Sequence, residues 1–238
     1  MTGARSQASV DLIAGLVFAL LFATATWSLL TLPATYLGIV VGLYAINTSL
    51  ILANLPDTLP RPGLGSANRV IMARNIGTLS LAGLVIYANS LGTLGHWWVV
   101  VLGTGIMLLD GVDGWIARRT STATNFGARF DMETDAFLML VLSALVWAEG
   151  RTGAWVLLIG AMRYLFLIAG LVVPSLRDEL APSFRRKLIC VIQGIALLIA
   201  LGPVIPSDIA VGVSALALAM LTWSFVIDTL WLLRPRSL

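Results

Sequence analysis

Long apolar runs separated by short polar breaks organise the chain. Runs of about the 20 residues needed to cross a ~30 Å hydrocarbon core lie at about 10–31, 35–55, 69–91, 96–118, 131–149, 152–173, 185–204 and 207–233. The breaks carry Gly92, Gly150, Pro174, Pro182, Pro203 and Pro206, residues that interrupt helices. A longer link holds Pro56, Asp57, Pro60, Arg61, Pro62, Gly63 and Gly65 and cannot be a helix interior. The pattern predicts an all-α integral membrane protein of about eight transmembrane helices. Arg5, the first apolar run and Ala23-Thr24-Ala25 resemble a cleavable secretory leader. The run continues past that site to Leu30, so an uncleaved first span is expected.

Composition agrees. With 58% hydrophobic residues, 11% charged residues and a mean hydropathy of +0.94, the chain is too apolar for an ordinary soluble domain. A single Cys (Cys190) and a single His (His96) exclude an internal disulfide and a zinc site of Cys/His type. Cations that prefer oxygen remain open.

A net charge of +3 and a pI near 9.5 would suit nucleic acid, but the distribution argues against it. With the N-terminus inside, thirteen basic residues fall on the inner side, Arg151 alone falls outside, and Arg163 lies within a span. That is the positive-inside bias of a topology signal, and it supports both the span count and a multi-pass inner or plasma membrane location. Trp97, Trp98, Trp147 and Trp155 fall near the outer span ends, as an aromatic belt would.

Against this background Asp110, Asp113, Asp131 and Asp135 are conspicuous. The first two are three residues apart at the inner end of the fourth run, so they share a helix face. The second two are four apart at the start of the fifth and share a face as well. The link from Arg119 to Phe130 is expected to turn at Gly127. Two antiparallel helices would then aim four carboxylates into one cleft at the cytoplasmic face.

Each Asp at a helix centre costs about 2.5–3.5 kcal/mol on insertion scales. Like charges crowded together also suppress one another's ionisation. Divalent cations resolve both problems, and all-oxygen ligation indicates Mg²⁺ or Mn²⁺, with Ca²⁺ as a substitute or inhibitor. A pair of ions about 3.5–4 Å apart would suit displacement at phosphorus. Gly114 and Ala117 leave room for a ligand near the backbone, and Arg118 is suited to phosphate oxygens. The composite is a site for a phosphate-bearing lipid or nucleotide.

The spacing Asp110-x2-Asp113-Gly114-x2-Ala117-Arg118-x8-Gly127-x3-Asp131-x3-Asp135 resembles, at every fixed position, the signature of the CDP-alcohol phosphotransferase family. The resemblance covers about residues 66–234. It implies a six-helix catalytic core at 57–238, with 1–56 as an N-terminal accessory hairpin. It implies that Asp110, Asp113 and Asp131 bind the metals, and that Asp135 is the general base and touches a metal. Gly114, Ala117, Arg118 and Gly127 would shape the CDP pocket. Asn68 and Arg74 resemble the Asn…Arg pattern of the family's first core helix and join that pocket.

The implied reaction is attack of a polar alcohol on CDP-diacylglycerol with release of CMP, in phospholipid synthesis. A homodimer is implied by the resemblance alone. Ile71 and Met132-Glu133-Thr134 depart from the phosphatidylglycerophosphate synthase-like members, which counts against glycerol 3-phosphate as acceptor.

The remaining polar residues have competing readings. Arg163 is an acceptor or phosphate site, or a partner of Asp228 or of backbone carbonyls. Arg185, Arg186 and Lys187 are topology signals, anionic-lipid contacts or acceptor-phosphate ligands. As a group these cations favour an anionic acceptor, with serine, glycerol 3-phosphate and inositol phosphate as candidates. Gln193 is expected to bond between helices. Cys190 is read as a packing residue, and Glu133 as a charge off the metal face. Two other functions compete: a divalent-cation transporter and a catalytically silent lipid-binding relative. Transport would want acids near the midplane of several broken helices, whereas these four cluster at one end of two adjacent runs.

Overall fold

The computed structural model describes the backbone of residues 2–56, 63–120, 124–178, 180 and 183–234, and side chains for these except 2–7 and 113–120. Among the described residues the chain forms eight α-helices and no strand: α1 Thr2–Leu30, α2 Thr35–Ala53, α3 Ser66–Leu84, α4 Thr93–Thr120, α5 Asn125–Ala148, α6 Leu157–Val172, α7 Phe184–Leu201 and α8 Ser207–Leu232. Short 3-10 turns extend α3 to Ser90, lead into α6 and follow it. Six of the eight are long and apolar enough to cross a membrane. The other two, α5 and α7, carry Asp131, Glu133 and Asp135 and Arg185, Arg186 and Lys187 respectively. The protein is thus an all-α multi-pass membrane protein.

The chain divides into two compact units, Met1–Leu138 and Met139–Leu238. In the first, α3 packs against α1, α2 and α4. Its span is 67% buried, against 22–33% for the other five apolar spans. The reason lies in its composition. Asn68, Arg74, Asn75, Thr78 and Ser80 point from it in several directions, all buried, and lipid offers such groups no partners. Protein does: the Tyr36 hydroxyl of α2 bonds Ser80, and Thr78 returns its hydroxyl to the Arg74 carbonyl at 3.0 Å. Between α1 and α2, the Tyr44 hydroxyl donates to the Leu12 carbonyl at 2.6 Å.

In the second unit α7 and α8 form the main helix pair. Gln193 of α7 donates to the Ala217 carbonyl of α8 at 3.0 Å, the interhelical bond expected of it. Arg151 reaches the end of α7, where Nε donates to Ala200 O at 2.9 Å and Nη2 to Gly202 O at 2.7 Å and Ile205 O at 2.6 Å. A cation there satisfies carbonyls that the helix leaves open and complements its dipole. Cys190, expected to pack, is exposed on α7.

Candidate active site

Within the first unit, α3, α4 and the first part of α5 bring the site together. α3 supplies Arg74, α4 supplies Asp110, and α5 supplies Asp131 and Asp135. The expected turn at Gly127 is corrected by the structure. α5 already begins at Asn125, and Thr124 caps it, its hydroxyl accepting from the Gly127 N–H at 3.0 Å. Gly127 is therefore helical, and Asp131 lies well inside α5 rather than at its first residue. Its need for glycine is a close approach. A Cβ there would sit 2.7 Å from Asn68 Oδ1, inside contact distance.

Asp110, Asp131 and Asp135 each offer an oxygen within 4.8 Å of the others'. Arg74 lies among them. Its Nη1 donates to Asp131 Oδ1 at 2.7 Å, and its Nη2 pairs with Asp110 Oδ1 at 2.8 Å and with Asp135 Oδ1. The Arg74 side chain is 1% exposed, whereas Asp110, Asp131 and Asp135 are 43%, 35% and 30% exposed. The guanidinium closes the cluster on its protein side, and the carboxylates keep an accessible side.

Among the described residues one cation meets three carboxylates, which leaves the cluster short of positive charge. The donor set is all oxygen, which suits a hard divalent ion, so the residues present fit the Mg²⁺ or Mn²⁺ expected of them. Thr134, one residue before Asp135, is also tied back: its hydroxyl donates to Phe130 O at 2.9 Å and lies 3.4 Å from Asn75 Nδ2 of α3. Glu133 is exposed and has no part in the cluster.

The side chains of Asp113, Gly114, Ala117 and Arg118 lie outside the described residues; the α4 backbone is helical through all four. Asn68 is buried and donates from Nδ2 to Leu64 O at 2.8 Å, which turns its carbonyl oxygen toward Gly127.

The other cations expected near an acceptor belong to the second unit. Arg185 is fully engaged: Nη1 donates to Ser224 O at 2.9 Å and to its hydroxyl, Nη2 pairs with Asp228, and the guanidinium lies 5.8 Å from the Trp223 ring centre. Arg186 approaches Asp228 at 3.6 Å, and Lys187 is exposed. Asp228 thus pairs with Arg185 and Arg186 of α7.

Two features were missed in the sequence. Arg74 was expected at the nucleotide and is found among the carboxylates. Asp11 was passed over although it is buried on α1 and paired with Arg69 at 2.9 Å. The signal for Asp11 was present: a lone acid in an apolar run implies a partner.

A family model described as CDP-alcohol phosphatidyltransferase matches residues 64–227. Comparison with curated proteins and with solved structures returns no match.

Proposed function

From the premise that this chain belongs to the CDP-alcohol phosphatidyltransferase family, and is an enzyme transferring a phosphatidyl group from a CDP-alcohol, we propose a specific reaction. The donor is CDP-diacylglycerol, the acceptor is a polar alcohol, and the products are a phospholipid and CMP. A bond forms between the acceptor oxygen and the lipid-linked phosphorus while the bond from that phosphorus to CMP breaks. The observation that carries this reading is the convergence of Asp110, Asp131 and Asp135, from two helices, to within 4.8 Å.

In this reading Asp135 takes the proton of the attacking hydroxyl, which requires it to be ionised and within hydrogen-bond reach. Asp110, Asp113 and Asp131, with Asp135 at the edge, would hold Mg²⁺ or Mn²⁺. When bound, such ions neutralise charge on the pyrophosphate and on departing CMP. Arg74 orients Asp131 and Asp135 from the buried side and adds positive charge near the phosphates. Asn68, Gly114, Ala117, Arg118 and Gly127 shape the CDP pocket, the glycines and alanine by leaving space and Arg118 by a forked contact to phosphate.

The catalytic core is 57–238, with 1–56 attached as a hairpin, and the site faces the cytoplasm because thirteen of fifteen basic residues flank that side. Arg163, Arg185, Arg186 and Lys187 favour an acceptor bearing an anionic group. Purified protein with labelled CDP-diacylglycerol, Mg²⁺ or Mn²⁺ and a panel of alcohols tests this reading. Metal-dependent CMP release with an anionic acceptor is expected. No release with any alcohol would overturn the reaction, and turnover only with a neutral or cationic alcohol would overturn the acceptor class.

A further inference from the structure

Asp11 lies on α1, before the stretch matched by the family, 64–227. It is 8% exposed, and both its oxygens are engaged where the chain leads into α3. Oδ2 accepts from the Leu64 backbone N–H at 2.6 Å, and Oδ1 accepts from Arg69 Nε and Nη2, each at 2.9 Å. Gly63 and Leu64 fit closely around this carboxylate. Gly63 has φ +76°, a conformation that favours glycine, and a Cβ there would fall 2.4 Å from Asp11 Oδ2.

The other face of Leu64 points at the site. Its carbonyl accepts from Asn68 Nδ2 at 2.8 Å. The two ends of a planar amide are fixed relative to one another, so holding Nδ2 also aims Oδ1. That oxygen is the atom a Cβ at Gly127 would meet at 2.7 Å. A continuous series of contacts therefore runs from the Asp11 carboxylate through the Leu64 N–H and C=O to the Asn68 amide, and ends against Gly127 of α5.

We propose that Asp11 is a positioning residue for donor binding, setting the Asn68 amide against Gly127 through Leu64. The inference rests on the assignment of Asn68 and Gly127 to the CDP pocket. It gives the N-terminal hairpin a function that the family stretch does not contain: α1 holds one wall of the nucleotide site in register. The Leu64 bond to Oδ2 does the aligning, and Arg69 holds the other oxygen, Oδ1. A charged acceptor strengthens a backbone hydrogen bond relative to a neutral one.

Full-length protein in mixed detergent–lipid micelles tests this with four variants. Asp11→Ala removes both contacts. Asp11→Asn keeps an oxygen for Leu64, and Arg69→Gln leaves the Leu64 bond intact. Asp11→Glu keeps the charge but lengthens the arm. The readouts are KM and kcat for CDP-diacylglycerol, and the rise in Tm produced by CMP. Asp11→Ala is expected to raise KM about tenfold, the effect of one hydrogen bond to a charged group, with kcat within about twofold and a smaller CMP shift. Asp11→Asn and Arg69→Gln are expected to raise KM less than about threefold by the same reasoning.

Should Asp11→Ala not fold, Asp11→Glu decides: a KM raised severalfold supports the proposal, and an unchanged KM overturns it. Equal KM increases in Asp11→Ala and Arg69→Gln would reveal a plain tether, and a loss of kcat at constant KM would place the effect elsewhere; either overturns it. Normal turnover in the parent with Asp11 variants unaffected sinks this inference alone. A parent that neither releases CMP nor is stabilised by it sinks the proposed function as well.

Discussion

The Arg74 guanidinium donates to Asp131 at 2.7 Å from a side chain 1% exposed, while Asp131 itself remains 35% exposed. The pair has a closed side, formed by α3, and an open side. Positive charge comes to these carboxylates from within the protein, and their other side is open to approach. This asymmetry sets what each substitution should do.

Asp135→Asn removes the proposed base while keeping size and hydrogen-bonding shape. General-base catalysis contributes about 10²–10⁴-fold, so CMP release should fall by at least about a hundredfold. Radiolabelled CMP release measures it, and near-normal turnover would refute the assignment.

Removal of divalent ions should abolish turnover reversibly. Activity measured after chelation, and again after adding back Mg²⁺, Mn²⁺ or Ca²⁺, is expected to return with the first two and poorly with Ca²⁺. The larger and more loosely coordinated ion suits a reaction at phosphorus less well.

Arg74→Met leaves three carboxylates facing a buried side that has lost its cation. Breaking a fully buried ion pair from one side costs about 3–5 kcal/mol, and the part-exposure of these carboxylates reduces that. The Tm of the variant in chelator should lie well below the parent's, and Mg²⁺ or Mn²⁺ should raise it more than it raises the parent's. Equal melting in chelator would mean that Arg74 contributes little to holding the cluster.

Gly127→Ala brings a methyl group to 2.7 Å from Asn68 Oδ1. Overpacking of this kind costs roughly 1–3 kcal/mol. Asn68→Ala removes the obstructing atom, so the double variant should lose less Tm than the two single losses together. Strict additivity would show that the two residues do not press on each other.

Arg151→Met deletes three hydrogen bonds from a cation to carbonyls at the end of α7 and in the turn after it. Hydrogen bonds to charged groups contribute about 1.5–3 kcal/mol each, with partial compensation once carbonyls are freed. The Tm should drop, while the specific activity of the folded fraction stays close to the parent's.

The sequence made the spans legible because crossing a bilayer demands about 20 apolar residues, and Gly and Pro marked the breaks. It misjudged the ends of α4 and α5. Hydropathy falls wherever a helix becomes polar, but α4 continues to Thr120 and α5 resumes at Asn125, so a helical Gly127 looked like a turn. The cluster of Asp110, Asp131 and Asp135 was readable because a spacing of four places the last two on one helix face beside the polar end of the preceding helix. The destination of Arg74 was not, because its partners are set by how α3 packs beside α4 and α5. The identity of Asp11's partners was hidden for the same reason: Leu64 and Arg69 lie 53 and 58 residues away along the chain.

The polarity of α3 bears on how the protein is made. A segment carrying Asn68, Arg74 and Asn75 is a poor passenger in lipid, since an Arg at mid-helix alone costs about 2.5–3.5 kcal/mol on insertion scales. Synthesis delivers α1 and α2 to the bilayer before α3. Tyr36 is then already there for Ser80, and Asp11 for Arg69. The hairpin is a host waiting for its guest, and a permuted chain that emerged with α3 first would expose that helix to lipid before any partner existed.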